Sequence, residues 1–71
     1  MRILGIDPGL RNTGFGVIDR VDKNTANYVT SGVIQTNAEQ SLALRIKTIL
    51  TGIQQIIYEY KPEVVSIEKV F

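Results

Sequence analysis

The sequence contains no cysteine and no histidine. Without cysteine there is no disulfide framework and no thiolate zinc site. Without histidine there is no Ser-His or Cys-His triad, no imidazole general base and no imidazole metal ligand. Chemistry is left to carboxylates, hydroxyls, lysines, arginines and backbone groups. An excess of charge of one sign is lacking too. Eight Lys and Arg oppose 7 Asp and Glu, for a formal net charge of +1, so there is neither a basic nucleic-acid tail nor an acidic one. No apolar run approaches the length of a membrane span. The opening Met1-Arg2-Ile3-Leu4-Gly5-Ile6-Asp7 is too short in its apolar part for a signal peptide and ends on an aspartate. These absences point to a cytoplasmic protein without membrane association. What is present is 44% apolar residues in a chain of 71, which suits one small globular domain and argues against disorder.

The first apolar run, Ile3-Leu4-Gly5-Ile6, is continuous rather than alternating, as in a strand buried on both faces. It stops at Asp7-Pro8-Gly9, a turn signal. Thr13 to Arg20 reads as a second strand, Asp22 to Thr25 as a turn, and Tyr28 to Gln35 as a third strand. Asn37 to Tyr60 reads as a helix. Its Leu42, Ile46, Ile49, Leu50, Ile53, Ile56, Ile57 and Tyr60 follow the three-and-four spacing of one face, with Asn37 and Gln40 as its N-terminal cap. Lys61-Pro62 ends it, and Val64 to Ile67 forms a fourth strand. The order is β-β-β-α-β. Two antiparallel steps make the first and third strands parallel, and a right-handed crossover makes the fourth parallel to both. The first strand is the most apolar, so the fourth is expected beside it, giving a mixed α/β sheet of order 3-2-1-4. The outer edge of the fourth strand is then open, which favours aggregation or self-pairing.

That topology places Asp7 and Glu68 at the carboxyl ends of adjacent parallel strands, about 4.8 Å apart. Alone, Asp7 could simply start its turn and Glu68 could be a solvated charge closing a strand. Together they would repel unless a proton or cation sits between them, and hard divalent cations take oxygen ligands. Gly14 and Gly16 mark either close approach of a ligand to the strand backbone, or a bulge or tight helix-sheet packing. Gly5 is expected to pack under the helix. Arg11, Asn12 and Thr13, in the loop after Asp7, could bind a phosphate or merely be solvated. Arg45 and Lys47 read as the helix's wet face. Phe71 could stack on an unpaired base or enter a core.

Two blocks carry a family resemblance. Ile3-Leu4-Gly5-Ile6-Asp7-Pro8-Gly9 followed by Thr13-Gly14-Phe15-Gly16-Val17-Ile18 resembles the opening of RuvC-type Holliday-junction resolvases. Pro62 through Ile67-Glu68-Lys69-Val70-Phe71 resembles that family's second catalytic block. The resemblance implies an RNase H-like fold and a homodimeric endonuclease that nicks a four-way DNA junction symmetrically with Mg2+ or Mn2+, with a branch-migration complex as a further partner. It implies Asp7 and Glu68 as catalytic and metal-binding acids. Arg11, Asn12, Thr13, Gly14, Lys69 and Phe71 would lie along the DNA. Family members are more than twice this length, with further catalytic acids near the C-terminus. Residues 1–71 are therefore expected to be the N-terminal part of one nuclease domain, inactive alone. Actin-like or sugar-kinase ATP-binding domains also open with three strands and an acidic-glycine turn. Another RNase H-like nuclease, or a non-catalytic binding piece, also remains open at this point.

Overall fold

The computed structural model describes residues 1–68. Its elements are β1 (Arg2–Asp7), β2 (Asn12–Asp22), β3 (Thr25–Gln35), α1 (Leu42–Tyr60) and β4 (Val64–Ile67). They form a four-stranded sheet of order β3-β2-β1-β4, in which β1 pairs antiparallel with β2 and parallel with β4. The order β-β-β-α-β and the sheet order are those the sequence implied. Both strands of the β2–β3 hairpin run longer than expected, because pairing continues from Asn12↔Gln35 to Asp22↔Thr25. Only Lys23 and Asn24 are left to turn, with the Asp22 carboxylate accepting from the Asn24 N–H at 2.8 Å.

Helix α1 starts at Leu42, five residues later than the sequence suggested. Asn37 does not cap it. Its side chain accepts from the Glu39 N–H at 2.9 Å and its carbonyl from the Gln40 N–H, closing a separate turn. Short polar side chains offer the backbone such local alternatives to helix. Ser41 takes the N-cap, its hydroxyl accepting from the Leu44 N–H. At the other end Lys61, left-handed at φ 50°, donates its N–H to the Ile57 carbonyl, and Pro62 blocks continuation.

Alternation along the strands divides the sheet into two faces. Leu4, Ile6 and Val17 face α1 and meet Ile56, with Phe15, Val29, Ile34, Ile53 and Tyr60 packed around them. Leu4 and Val17 are fully enclosed, and burial of a side chain of that size contributes about 1.5–3 kcal/mol. Gly52 lets the helix approach β3 closely. A Cβ there would stand 2.8 Å from the Ile34 side chain. The apolar stripe of α1 is buried along one border only: Leu42, Ile46, Leu50 and Ile57 stay exposed, as do Val64, Val65 and Ile67 of the edge strand β4. Strand β1 is thus covered on one face rather than two. Ile3 and Gly5 of the other face are half-buried, and Gly5 lies opposite α1 rather than beneath it.

Arg2 organises the end of the sheet remote from Asp7. Its guanidinium bonds both Asp19 carboxylate oxygens, at 2.8 and 2.9 Å, and donates to the Tyr60 carbonyl of the last helical turn at 2.9 Å. Its backbone carbonyl accepts from the Glu63 N–H, the first rung of the β1–β4 ladder. Hydrogen bonding to Arg2 holds the Asp19 carboxyl below its ordinary range, with charge attraction adding to it and desolvation opposing. A carboxyl depressed in the folded state stabilises above its unfolded pKa of about 3.9 and loses that contribution as pH falls through the folded value. The expected result is an acid-dependent loss of melting temperature below about pH 4 that shrinks in Asp19→Asn. An unchanged acid profile in that variant would show that the pair carries no linked stability.

Candidate metal and nucleic-acid site

The parallel pairing Gly5↔Ser66 and Ile6↔Ile67 fixes what comes next. One position further, Glu68 follows β4 as Asp7 ends β1, and the Glu68 N–H donates to the Ile6 carbonyl at 2.9 Å. Paired residues on neighbouring strands share a face, so both carboxylates leave the face that α1 does not cover. Both are exposed. Together with Gly5, Gly14, Gly16 and Ser66 they line a cleft of about 290 Å³.

The cleft floor is made of glycine backbone from two strands. Gly5 pairs with Gly16, and Asp7 pairs with Gly14. No glycine in the chain has positive φ, so backbone conformation does not require them. Both β2 glycines sit in regular register, Gly14 opposite Val33 and Gly16 opposite Ser31, and the irregularities begin only after Val17. A Cβ at Gly16 would meet nothing within 4 Å, and one at Gly14 only the Asp7 Cβ at 3.9 Å. Neither a bulge nor tight helix packing accounts for them. What they do is leave the strand backbones bare beside two acids.

The loop from Pro8 to Arg11 is exposed in its side chains and tied down in its backbone. Thr13 is fully buried. Its hydroxyl donates to the Gly9 carbonyl at 2.9 Å and accepts from the Gly9 N–H at 3.3 Å. This differs from the expectation that Thr13 touches DNA: its side chain braces the loop from within. Gly9 itself cannot carry a side chain without movement, since a Cβ would stand 2.5 Å from the Asn12 carbonyl oxygen. Arg11 and Asn12 are exposed and do not themselves line the cleft, whereas Gly14 is half-buried in its floor. Lys69 and Phe71 lie outside the described residues.

Three contributors escaped the sequence reading. Ser66 lines the cleft because it sits two residues before Glu68 on the same strand face, a spacing that was legible. Arg45 is half-buried rather than on a wet face, and Thr36 joins it at the loop. Nothing in the helix periodicity marks either.

The donor set suits a hard divalent cation. Asp7 and Glu68 offer carboxylate oxygens, Ser66 adds a hydroxyl nearby, and the sequence has no imidazole nitrogen or thiolate sulfur of the kind softer metals prefer. Among the described residues no group of three or more acids, histidines or cysteines comes together. The described cleft therefore presents two carboxylates and no third acid.

Comparison with known proteins agrees with this fold. The family model described as "Crossover junction endodeoxyribonuclease RuvC" matches residues 3–71. RuvC of Burkholderia cenocepacia is 58% identical over 71 residues, which is 100% of this chain and 38% of that protein. RuvC of Cupriavidus metallidurans is 54% identical over the same length, or 39% of that protein. Among solved structures, T. thermophilus RuvC in complex with Holliday junction substrate superposes with a TM-score of 0.89 at 26% identity. It covers 97% of this chain and 42% of that one. The chain thus spans about two fifths of the length of the relatives it matches. The fold is RNase H-like, and the chain belongs to the family of RuvC crossover junction endodeoxyribonucleases.

Proposed function

We propose that the full-length protein containing residues 1–71 is a divalent-metal-dependent endonuclease that resolves four-way DNA junctions by paired nicks. The observation that carries this is the placement of Asp7 and Glu68 on neighbouring parallel strand ends over a bare glycine floor. Asp7 and Glu68 hold the cation, Mg2+ or Mn2+. When bound, it supplies Lewis-acid stabilisation of the phosphodiester and an activated water. The Gly5-Gly14-Gly16 floor gives the sugar-phosphate backbone room to approach, since no side chain projects from it. Arg11 and Asn12 bind phosphates next to the scissile one. Gly14 contributes bare backbone, and Lys69 and Phe71, which follow Glu68 in the sequence, bind DNA in this reading, Phe71 by stacking on an unpaired base.

Paired nicks on a symmetric junction need two sites related by a two-fold axis, hence a homodimer. A branch-migration complex is a natural further partner, because it would deliver the junction. No described helix is long and apolar enough to cross a membrane, and a DNA substrate suits the cytoplasm. Residues 1–71 alone are inactive in this reading, having two of the roughly four carboxylates that a two-metal centre uses.

The test compares a synthetic four-way junction with plain duplex, with and without Mg2+, for the full-length protein and for residues 1–71. Metal-dependent nicking confined to the junction and to the full-length protein is expected. Equal cutting of duplex, or cutting without metal, would sink the resolvase reading. Nicking by residues 1–71 alone would sink the claim that they are inactive.

A further inference from the structure

We infer that Arg45 is a positioning residue for DNA recognition, acting through the backbone of the loop that carries Arg11 and leads into Asn12. Its guanidinium reaches from the second turn of α1 to the Leu10 carbonyl at 3.0 Å and to the Thr36 hydroxyl at 3.4 Å. The Thr36 hydroxyl donates to the same Leu10 carbonyl. The Thr36 N–H donates to the Arg11 carbonyl at 2.9 Å. The carbonyls of Leu10 and Arg11, the two residues preceding β2, are thus held from the helix and from the exit of β3. Thr13 holds Gly9 from the other side. By contrast, among the described residues no hydrogen bond ties down the Arg11 guanidinium, which is exposed.

An exposed four-residue loop is ordinarily mobile. This one is braced by Arg45 and Thr36, neither of which lines the cleft, and by Thr13 of β2, so its outward side chains are presented in one arrangement. Binding then does not have to order the loop. Arg45 is also the kind of residue this task needs. A planar fork can bridge a carbonyl and a hydroxyl together, which a lysine ammonium cannot do in the same geometry.

The inference rests on the junction-binding reading above, and its test separates the two. Junction affinity is measured across salt concentrations for the full-length protein and for Arg11→Ala, Arg45→Met, Arg45→Lys, Thr36→Val, and Arg11→Ala combined with each of the others. Loss of one phosphate contact weakens binding roughly tenfold and lowers the log–log salt slope by about one. Arg11→Ala is expected to show that loss. Arg45→Met, charge-retaining Arg45→Lys and charge-neutral Thr36→Val are each expected to reproduce most of it. Added to any of these, Arg11→Ala should cause little further loss, because the contact is already misplaced. Thr36→Val keeps the test open if the Arg45 variants fold poorly. Factors that multiply would overturn the inference, since Arg45 would then contact DNA on its own account or act only through global stability. So would full retention of affinity by Arg45→Lys. If the unaltered protein does not prefer a junction over duplex, the junction reading fails and takes this role with it.

Discussion

Replacing Asp7 by asparagine is expected to abolish junction cleavage by the full-length protein while leaving it folded. Asp7 is exposed and lies on the face that α1 does not cover, so no core contact is lost. Asparagine keeps the shape but replaces one carboxylate oxygen by an NH2 group and removes the negative charge that a divalent cation attracts most strongly. Glu68→Gln acts alike, because its structural tie to β1 is the backbone bond to Ile6, which the substitution keeps. Altering partners that merely orient a metal ligand already costs about 10–100-fold, so loss of a ligand itself should exceed about 100-fold. The double variant should fall little below either single one, because groups acting as a unit are not additive. Rates of nicking, read beside melting temperatures, check this. Near-parental cleavage by a folded Asp7→Asn variant would remove Asp7 from the metal centre.

Leu4→Ala is expected to have the largest effect on stability. Leu4 is central in β1, paired with Val17 on one side and Val65 on the other, and is fully enclosed against Ile56. Truncating such a residue removes its transfer energy and leaves a cavity, about 2–5 kcal/mol in total. Small domains have little reserve. In residues 1–71 this loss should lower the melting temperature by at least about 10 °C, or abolish cooperative folding at room temperature. Leu4 faces away from the two acids, so any variant that remains folded should keep its cation affinity. A small shift in melting, or selective loss of cation binding in a folded chain, would contradict this division of the sheet into a packing face and a working face.

Much of this arrangement was legible in the residues. A continuous apolar run stopped by Asp7-Pro8-Gly9, then a long three-and-four pattern closed by Lys61-Pro62, leaves little choice of topology once crossover handedness is applied. The pairing of Asp7 with Glu68 followed from topology alone. What was hidden depended on choices between near-equal local options. Asn37 and Ser41 are both good caps, and only the bonds that Asn37 makes with Glu39 and Gln40 decide between them. Gly5 was assigned to the wrong face because a continuous apolar run gives no sign of which residues point where. Thr13 looked like one more polar loop residue. Its burial depends on the loop folding back over it, a tertiary fact. Arg45 follows the pattern of a solvated helix position. Its partners are the Leu10 carbonyl, which no sequence pattern exposes, and Thr36, nine residues away.

The pairing of β1 with β4 also orders events in time. The three-strand meander is built from neighbours in the chain and can assemble by local contacts. The β1–β4 ladder joins elements from opposite ends of the described chain, and it closes only after the helix has brought its last strand back. Such long-range closure carries the larger entropic penalty and belongs to the later stages of folding. Asp7 therefore waits, already mounted on its strand, while Glu68 arrives with the final crossover. Because the parallel ladder comprises only four pairs, a slip of a single position would turn Glu68 to the opposite face. The two carboxylates thus come together only with the final crossover, and a chain folded no further than its meander carries Asp7 without Glu68.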